Sequence, residues 1–332
     1  MHWLRKIAYP VSLVYGLVVH IRNLLYDIGF FESRSFRTPT ICIGNLSVGG
    51  TGKTPMIEYF IRELQHDHKL AVLSRGYKRK SKGFQLANET SSVEDLGDEP
   101  FQLFSKHNIS LAVDADRRNG IKNLEEQLAP ELILLDDAFQ HRKIKPSFNV
   151  LLTAYGKLYV DDTFLPTGNL RDSKNQVKRA DVVVVTKCPR TIDEKKMDEV
   201  KTHLNCGKPV LFASLSYDGV LKSETGELGF SDVSGNRVAL VTAIADPQPL
   251  VHHLESLNVD FKHFDFSDHH FFSEKELQSF RKYDYIITTE KDHTRLNGKV
   301  EGLYYLGIKH EFLDGGSNKL LKALEHTLKH RH

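Results

Sequence analysis

Three things are scarce in this chain, and each scarcity excludes a class of protein. Among 332 residues there are only three cysteines, Cys42, Cys188 and Cys206, and no two of them form a C-x-x-C pair. This usage argues against a disulfide scaffold or a thiolate metal site and is typical of a reducing compartment. The net charge is only +2, so the chain lacks the strong positive field of a nucleic-acid-binding protein. We therefore expect no nucleic-acid partner.

The chain also has little uninterrupted apolar sequence near its N-terminus. The uncharged stretch Ile7–Val19 is shorter than the roughly 20 apolar residues that a membrane span needs. Arg5 and Lys6 precede it as in a secretory signal, but no small-residue cleavage site follows Val19. Basic residues on both sides, with Arg22 on the far side, are typical of a helix lying at a membrane surface. A helix packed on the protein's own core is the alternative that the pattern leaves open.

Apolar runs elsewhere alternate with amphipathic segments, which predicts an α/β fold. Runs without polar alternation indicate strands covered on both faces, as in parallel sheets with helices on each side. These runs are Thr40–Gly44, Lys69–Ser74, Leu111–Val113, Glu131–Asp136, Phe148–Thr153 and Asp181–Thr186. The composition changes near Ser214–Arg237, and a second, smaller α/β unit is predicted beyond it.

The segment SVGGTGKTP, Ser47–Pro55, predicts a phosphate-binding loop. It follows a predicted strand and precedes a predicted helix, so its backbone N–H groups and the positive helix end would face phosphate oxygens. Lys53 would reach the β- and γ-phosphates, and the Thr54 hydroxyl would hold Mg²⁺. Ser47 occupies the place where the usual pattern has its first glycine. A glycine-rich turn without a ligand is the alternative.

Three further motifs carry polar groups suited to catalysis. LILLDD ends in Asp136 and Asp137, which resemble a Walker B pair facing Mg²⁺, although two carboxylates at a strand end also suit a helix cap. Asp98 in LGDEP lies where a helix would start, and the residues alone favour a helix-start role. In FSDHHFF, His269 and His270 suit either a proton-relay pair or a structural role.

Two other classes of nucleotide-binding protein share parts of this pattern. A ParA/Mrp-like ATPase has a deviant phosphate loop, but its signature lysine would stand where this chain has Val48. A GTP-binding regulatory switch is kept open by TKCP and TTEKD, which loosely resemble base-reading loops. ATP hydrolysis without an acceptor would favour the first class, and preference for GTP the second.

The order of the motifs resembles one family. The motifs are IGNLSVGGTGKTP, SRGY, GDEP, DADR, LLDDAFQHR, LPTGNLRD, TKCP, SDHH and TTEKD. Across nearly its whole length the chain resembles the tetraacyldisaccharide 4'-kinases, which are lipid A 4'-kinases. One departure from the family pattern is Asp172, which stands in LPTGNLRD where glutamate is more usual. The shorter side chain changes only how far that carboxylate reaches.

The resemblance implies a fold, a reaction and a location. It implies a P-loop NTPase-type, mostly parallel sheet with helices on both faces, a smaller C-terminal α/β domain and an N-terminal membrane-surface helix. Residues 1–35 would form that helix, 36–214 the P-loop kinase core and 215–332 the smaller domain. ATP with Mg²⁺ would phosphorylate the 4'-hydroxyl of tetraacyldisaccharide 1-phosphate. The enzyme would be a monomer at the cytoplasmic face of the inner membrane.

The resemblance also implies roles for individual residues. Asp98 would be the catalytic carboxylate, with His269 as its partner, although His270 could replace His269, and Lys53 would act on the transferred phosphate. The nucleotide-binding residues would be Ser47, Val48, Gly49, Gly50, Thr51, Gly52, Lys53, Thr54, Tyr77, Arg117, Gln140 and Asn169. The Mg²⁺-binding residues would be Thr54, Asp136 and Asp137.

Overall fold

The computed structural model describes residues 8–268 and 270–330, which form two compact units. The first unit comprises the described residues up to Leu215 together with those from His310 onward, and the second is Ser216–Lys309. The strands are β1 Thr40–Asn45, β2 Leu70–Ser74, β3 Gln85–Leu86, β4 Ser110–Val113, β5 Leu132–Asp136, β6 Phe148–Ala154, β7 Val182–Thr186, β8 Val210–Tyr217, β9 Leu221–Ser223, β10 Gly226–Leu228, β11 Val238–Thr242, β12 Lys262–Asp265, β13 Tyr285–Thr289, β14 Leu303–Leu306 and β15 Ile308–Phe312.

Helices separate most of these strands. They are α1 Tyr9–Asp27, α2 Lys53–Leu64, α3 Val93–Leu96, α4 Asp98–Lys106, α5 Arg117–Gln127, α6 Glu194–Leu204, α7 Phe230–Val233, α8 Gln248–Ser256, α9 Glu274–Phe280, α10 Glu290–Leu296 and α11 Gly316–Lys329. Short 3-10 turns occur at Tyr159–Asp161 and Lys174–Arg179.

The first unit is built on a nine-stranded sheet in the order β15-β8-β7-β6-β1-β5-β2-β4-β3. The strands from β8 to β4 pair in parallel, and only β3 is shown pairing antiparallel, to β4. Successive residues of β1 point into two different apolar layers: Ile41 and Ile43 into one, Cys42 into the other. The predicted α/β class, with a mostly parallel sheet buried on both faces, is confirmed.

Both layers are completed by helices. Met56 of α2, Leu103 of α4 and Leu320 of α11 are buried in one layer, and Ile121 of α5 and Met197 of α6 in the other. The parallel arrangement brings the carboxyl ends of β1, β2, β4 and β5 to one edge of the sheet, where ligands bind in open α/β folds.

Helix α1 docks on the first unit through its polar and small residues. Its buried positions are Ser12, Gly16, Val19 and Asn23, whereas most of its large apolar side chains are exposed. Asn23 Nδ2 donates to a carboxylate oxygen of Asp172 over 2.7 Å, and Asp172 is completely buried. An ordinary amphipathic helix buries its apolar face, whereas this helix packs mainly through small and polar residues and leaves its apolar face exposed.

The remaining apolar surface of α1 has no cover within the described residues. The exposed large side chains are Tyr9, Val11, Leu13, Val14, Leu17, Val18, Ile21 and Leu24 on α1, followed by Ile28, Phe30 and Phe31. In the described ranges, no helix combines the length and hydropathy needed to cross a bilayer.

The second unit has a six-stranded sheet in the order β10-β9-β14-β13-β11-β12. Strands β12, β11, β13 and β14 pair in parallel, and β9 and β10 extend the sheet antiparallel. This sheet is the smaller α/β unit that the sequence predicts. Residues 310–330, which lie inside the predicted segment 215–332, belong to the first compact unit. The division into 1–35, 36–214 and 215–332 stays a prediction about functional domains.

Candidate functional site

The predicted phosphate loop connects β1 to α2. Gly49 and Gly52 have φ values of +110° and +83°, a region in which L side chains are strained. Ser47 is not among the described residues with positive φ, so its conformation does not require glycine. The unusual serine therefore fits the loop without backbone strain.

A neighbouring segment holds the loop in place. Val48 N donates to Asn169 O over 2.7 Å, and Arg171 N donates to Leu46 O over 2.9 Å. From the other side, Asn45 Nδ2 donates to Thr51 Oγ1 over 2.8 Å. The predicted residue Asn169 thus lies beside the loop, with its main-chain oxygen as the contact.

Cationic side chains gather around Asp137. Lys53, the first residue of α2, places Nζ 3.8 Å from Asp137 Oδ1. Arg171 donates to both carboxylate oxygens of Asp137 and also to Asn45 Oδ1. Burial alone would raise the pKa of Asp137, but Lys53 and Arg171 outweigh it, so the pKa lies below its ordinary value. Asp137 is therefore a charged anchor for these two cations.

Asp136 is in a different environment. It ends β5, is 3% exposed, and accepts a hydrogen bond from Ser74 Oγ over 2.8 Å through Oδ2. Burial, followed by the charges of Glu99 and Asp137, raises its pKa from 3.8 to about 6. Its buried Oδ1 has no hydrogen-bond partner among the described residues. A carboxylate oxygen in this state is suited to a cation, because a metal ion would supply the missing partner.

Asp98 opens α4 beside a close approach of two main-chain segments. Gly97 precedes it with φ +89°, and a Cβ at Gly97 would lie 2.8 Å from Tyr77 O. Only glycine fits here, so the predicted motifs SRGY and GDEP meet through their backbones. The next residue, Glu99, lies close enough to Asp136 to affect its pKa. The Tyr77 side chain itself is 65% exposed.

An ion pair joins the helix that starts at Lys53 to the helix that starts at Asp98. Lys106 Nζ, at the end of α4, lies 2.8 Å from Glu58 Oε2 in the middle of α2, and Glu58 is buried. Because buried carboxylates need a charge partner, this pair constrains how α2 and α4 pack.

Two predicted site residues make mainly main-chain contacts. Arg117 is 2% exposed, and its Nη atoms donate to the carbonyls of Asp114 and Asp136 over 2.9 and 3.1 Å. Gln140 Nε2 donates to Asn45 O over 2.6 Å. Arg117 thus braces the ends of β4 and β5, and Gln140 braces the end of β1.

The histidine pair lies in the second unit, where only one member can be described. His269 lies outside the described residues. His270 Nε2 is 3.1 Å from Glu276 Oε2, and its ring stacks on Phe266 with centroids 4.7 Å apart. Ser273 and His270 together hold the pKa of Glu276 at about 2. These contacts give His270 a structural environment, and the role of His269 stays a prediction.

The TTEKD segment also has a structural explanation. Asp292 is completely buried, accepts hydrogen bonds from Ala243 N and Thr289 Oγ1 over 2.9 and 2.8 Å, and pairs with Arg295. Thr289 caps α10 by accepting from Asp292 N, and the Asp292 carboxylate fixes the loop after β11. The resemblance to a base-reading loop is therefore accounted for within the second unit.

Several residues near the site lie outside the predicted set. Arg171, Glu99, Ser74, Thr186 and His310 contact the predicted residues or affect their pKa. Arg171 lies in the LPTGNLRD motif and Glu99 in GDEP, so motif position was a usable signal for both. No local pattern identifies His310.

Among known proteins, a family profile and individual sequences match this chain. The profile of the family described as tetraacyldisaccharide-1-P 4'-kinase matches residues 4–329. A tetraacyldisaccharide 4'-kinase of Flavobacterium johnsoniae is 46% identical over 335 residues, covering 98% of each chain. One from Bacteroides thetaiotaomicron is 43% identical, covering 88% of this chain and 83% of its own length.

A solved structure agrees with these sequences. The chain is similar to a crystal structure of LpxK from Aquifex aeolicus in complex with ATP, with a TM-score of 0.80 and 31% identity. The match covers 98% of this chain and 99% of the other. The chain therefore belongs to the tetraacyldisaccharide-1-P 4'-kinase family.

Proposed function

We propose that this protein transfers the γ-phosphoryl group of ATP to the 4'-hydroxyl of tetraacyldisaccharide 1-phosphate in lipid A biosynthesis. The observation that carries the proposal is the family match over residues 4–329. The phosphate loop and the Asp136–Asp137 pair at the same sheet edge supply the matching chemistry. The family assignment supports a kinase and gives no support to a ParA/Mrp-like ATPase or a GTP switch.

The phosphate loop would bind the nucleotide through its backbone. The N–H groups of Gly50, Gly52, Lys53 and Thr54 would present donors, and the start of α2 a positive helix end, to phosphate oxygens. Thr51 N donates instead to Gly49 O over 2.9 Å. Lys53 would pair with the β- and γ-phosphates, which requires its amine to leave Asp137, 3.8 Å away. Arg171 keeps Asp137 neutralised when Lys53 turns to the nucleotide.

Asp136 and Thr54 are the residues that would hold Mg²⁺. The Oδ1 atom of Asp136, which has no partner among the described residues, fits this role. Asp137 would instead hold the side chains of Lys53 and Arg171 in place. No group of three His, Cys, Asp or Glu residues in the described ranges could hold a metal by itself. This suits Mg²⁺, which is usually bound through one or two carboxylates and the substrate phosphates. When bound, Mg²⁺ neutralises charge on the phosphate oxygens.

Asp98 would accept the proton of the sugar hydroxyl as the new P–O bond forms. Its position in the first turn of α4 keeps a carboxylate at the same edge as Asp136, to which the adjacent Glu99 is electrostatically coupled. His269 would orient Asp98. Four further residues would position the site: Arg117, Gln140, Asn169 and Tyr77. The side chains of Arg117 and Gln140 bind main-chain carbonyls, and Asn169 contacts the loop through its own carbonyl.

The exposed apolar face of α1 would rest on the membrane surface. A lipid substrate keeps its acyl chains in the bilayer, so a kinase acting on its head group must sit at the interface. We propose a peripheral monomer at the cytoplasmic face of the inner membrane.

The reaction can be tested directly. Purified protein is incubated with ATP, Mg²⁺ and the tetraacylated disaccharide 1-phosphate, and the product is identified by mass spectrometry. A single added phosphate on the 4'-position supports the proposal, and Lys53→Ala serves as the inactive control. ATP hydrolysis without lipid phosphorylation, or GTP preferred over ATP, would contradict it.

The base assignment is tested in the same assay. Asp98→Ala is expected to lower turnover by about 10²–10⁴, the range for loss of a general base. Glu94→Ala, a truncated exposed carboxylate four residues earlier, is the matched control. Near-normal turnover of the Asp98 variant would remove Asp98 from the mechanism.

A further inference from the structure

His310 is a buried histidine that no motif identifies. It lies on β15, after the second unit, in the segment that returns to the first unit. It is 3% exposed, and its Nε2 lies 2.9 Å from the carbonyl oxygen of Gly52 in the phosphate loop. Its contact is thus with the peptide immediately before Lys53.

The chemistry of this contact fixes the state of the imidazole. A carbonyl oxygen only accepts hydrogen bonds, so Nε2 must carry the proton and donate it. Burial lowers the pKa of His310 to about 4, which keeps the ring neutral near pH 7. The main chain of Ser214 lies close enough to the ring to oppose part of this lowering of the pKa, but Nδ1 makes no hydrogen bond of normal geometry in the described ranges. The neutral ring with its proton on Nε2 therefore directs one hydrogen bond at Gly52 O.

That donor controls the direction of the next N–H group. In a trans peptide the carbonyl and the following N–H point in opposite directions. Gly52 O accepts from His310 and from Met56 N, the first helical bond of α2, over 3.2 Å. With this oxygen held toward the helix, the N–H of Lys53 must point outward, to where a phosphate would lie.

The preceding peptide is held in the same way from β7. Thr186 Oγ1, completely buried, donates to Thr51 O over 2.8 Å, which directs the N–H of Gly52. A Cβ at Gly52 would lie 2.9 Å from His310 Nε2, so the ring fills the space behind the loop. Two consecutive phosphate-facing N–H groups are thus set by side chains from two strands.

We propose that His310 is a positioning residue for nucleotide binding, which holds the Gly52–Lys53 peptide in its phosphate-binding orientation, with Thr186 doing the same for the peptide before it. This inference rests on the proposed function for its ligand. Under this proposal, strand β15, which follows the second unit in the chain, helps to form the nucleotide site of the first unit. It also predicts that the effect on binding depends on the nucleotide's phosphates.

A matched pair of variants tests the proposal. Glutamine and methionine have similar length and shape, but only His310→Gln retains an N–H donor. We expect His310→Met to bind Mg²⁺–ADP about tenfold more weakly than His310→Gln by calorimetry, the size expected for one buried hydrogen bond. Binding of adenosine, which has no phosphate, should be the same in both. In the kinase assay KM for ATP should rise while KM for the lipid stays constant.

The outcomes separate this inference from the proposed reaction. Equal ADP affinities for the two variants would overturn it, as would equal losses for ADP and adenosine. ADP binding is measured without a lipid, so a failure to phosphorylate lipid would leave this test intact. If His310→Met does not fold, Thr186→Val against Thr186→Ser makes the same comparison, and equal ADP affinities there would also contradict the proposal.

Discussion

At the scale of single residues, the two adjacent aspartates of LLDD have opposite environments. Asp136 is buried with only a neutral hydrogen-bond donor, whereas Asp137 faces Lys53 and Arg171. A pair that the sequence presents as equivalent thus divides into a carboxylate with one buried oxygen unpartnered among the described residues and a charged anchor. The division arises because the chain turns between the two residues, with Asp137 at φ +47°.

This difference predicts opposite effects on stability without Mg²⁺ and nucleotide. Because the folded-state pKa of Asp136 is raised from 3.8 to about 6, its ionisation destabilises the fold as pH rises through that range. Asp136→Asn, which keeps the acceptor for Ser74, should raise the unfolding free energy above pH 6, by up to roughly 3 kcal/mol. The gain should vanish below about pH 4. Urea denaturation at several pH values measures it.

Asp137→Asn is the matched control, and its sign is reversed. A lowered pKa contributes stability that is present above the ordinary value and is lost as pH falls through the folded-state value. Asp137→Asn should therefore destabilise the protein at neutral pH. An Asp136→Asn protein no more stable than the parent at pH 7.5 would contradict the environment assigned to Asp136.

Residues whose surroundings are local in sequence were predictable as site candidates, whereas residues brought to the site by distant contacts were not. Lys53 and Asp136 follow directly from a loop after a strand and from a carboxylate at a strand end. His310 lies 258 positions from Gly52, and only the folded sheet brings them together. Asp172 was expected to differ only in reach, and the structure shows it buried against α1.

At the scale of elements, α1 shows how a helix can be attached with its apolar side outward. Ser12 Oγ donates to Thr167 Oγ1 over 2.7 Å, and Arg142 donates to Asp27 over 2.7 Å, so polar contacts secure both ends. Gly16 allows close packing, since a Cβ there would lie 2.7 Å from the Phe164 ring. The sequence left membrane contact and core packing as alternatives; one face of the helix packs on the first unit, and the other is apolar and exposed.

The exposed face predicts membrane binding that can be removed without unfolding the helix. Val14→Ser with Leu17→Ser changes side chains that are 63% and 60% exposed, so stability should change little. Vesicle partitioning should fall at least tenfold, because each residue contributes on the order of 1 kcal/mol or more when it enters the interface. Leu257→Ser, at an exposed leucine of the second unit, is the control. Unchanged sedimentation with vesicles would count against the anchor.

At the scale of the whole molecule, the order of the chain is not the order of its compact units. The buried strands β1, β2, β4, β5, β6 and β7 of the first unit were predictable because each carries its own run of apolar residues. The assignment of β15 and α11 was not, because their local patterns fit either unit and only packing decides between them. Leu320 and Leu324 are buried in the same layer as Met56 of α2, so the last helix completes the core around the phosphate loop helix.

This arrangement predicts where a C-terminal core mutation will act. Leu320→Ala removes a completely buried side chain and should lower the unfolding free energy of the first unit by about 2–5 kcal/mol. Hydrogen exchange would show lost protection in α2 and β1 while β11 and β13 stay protected, since compact units open separately. Leu277→Ala, a buried leucine in α9, is the matched control and should give the reverse pattern. If Leu320→Ala exposed β11 and β13 as much as α2, the C-terminal helix would belong energetically to the second unit, and its link to the nucleotide site would be lost.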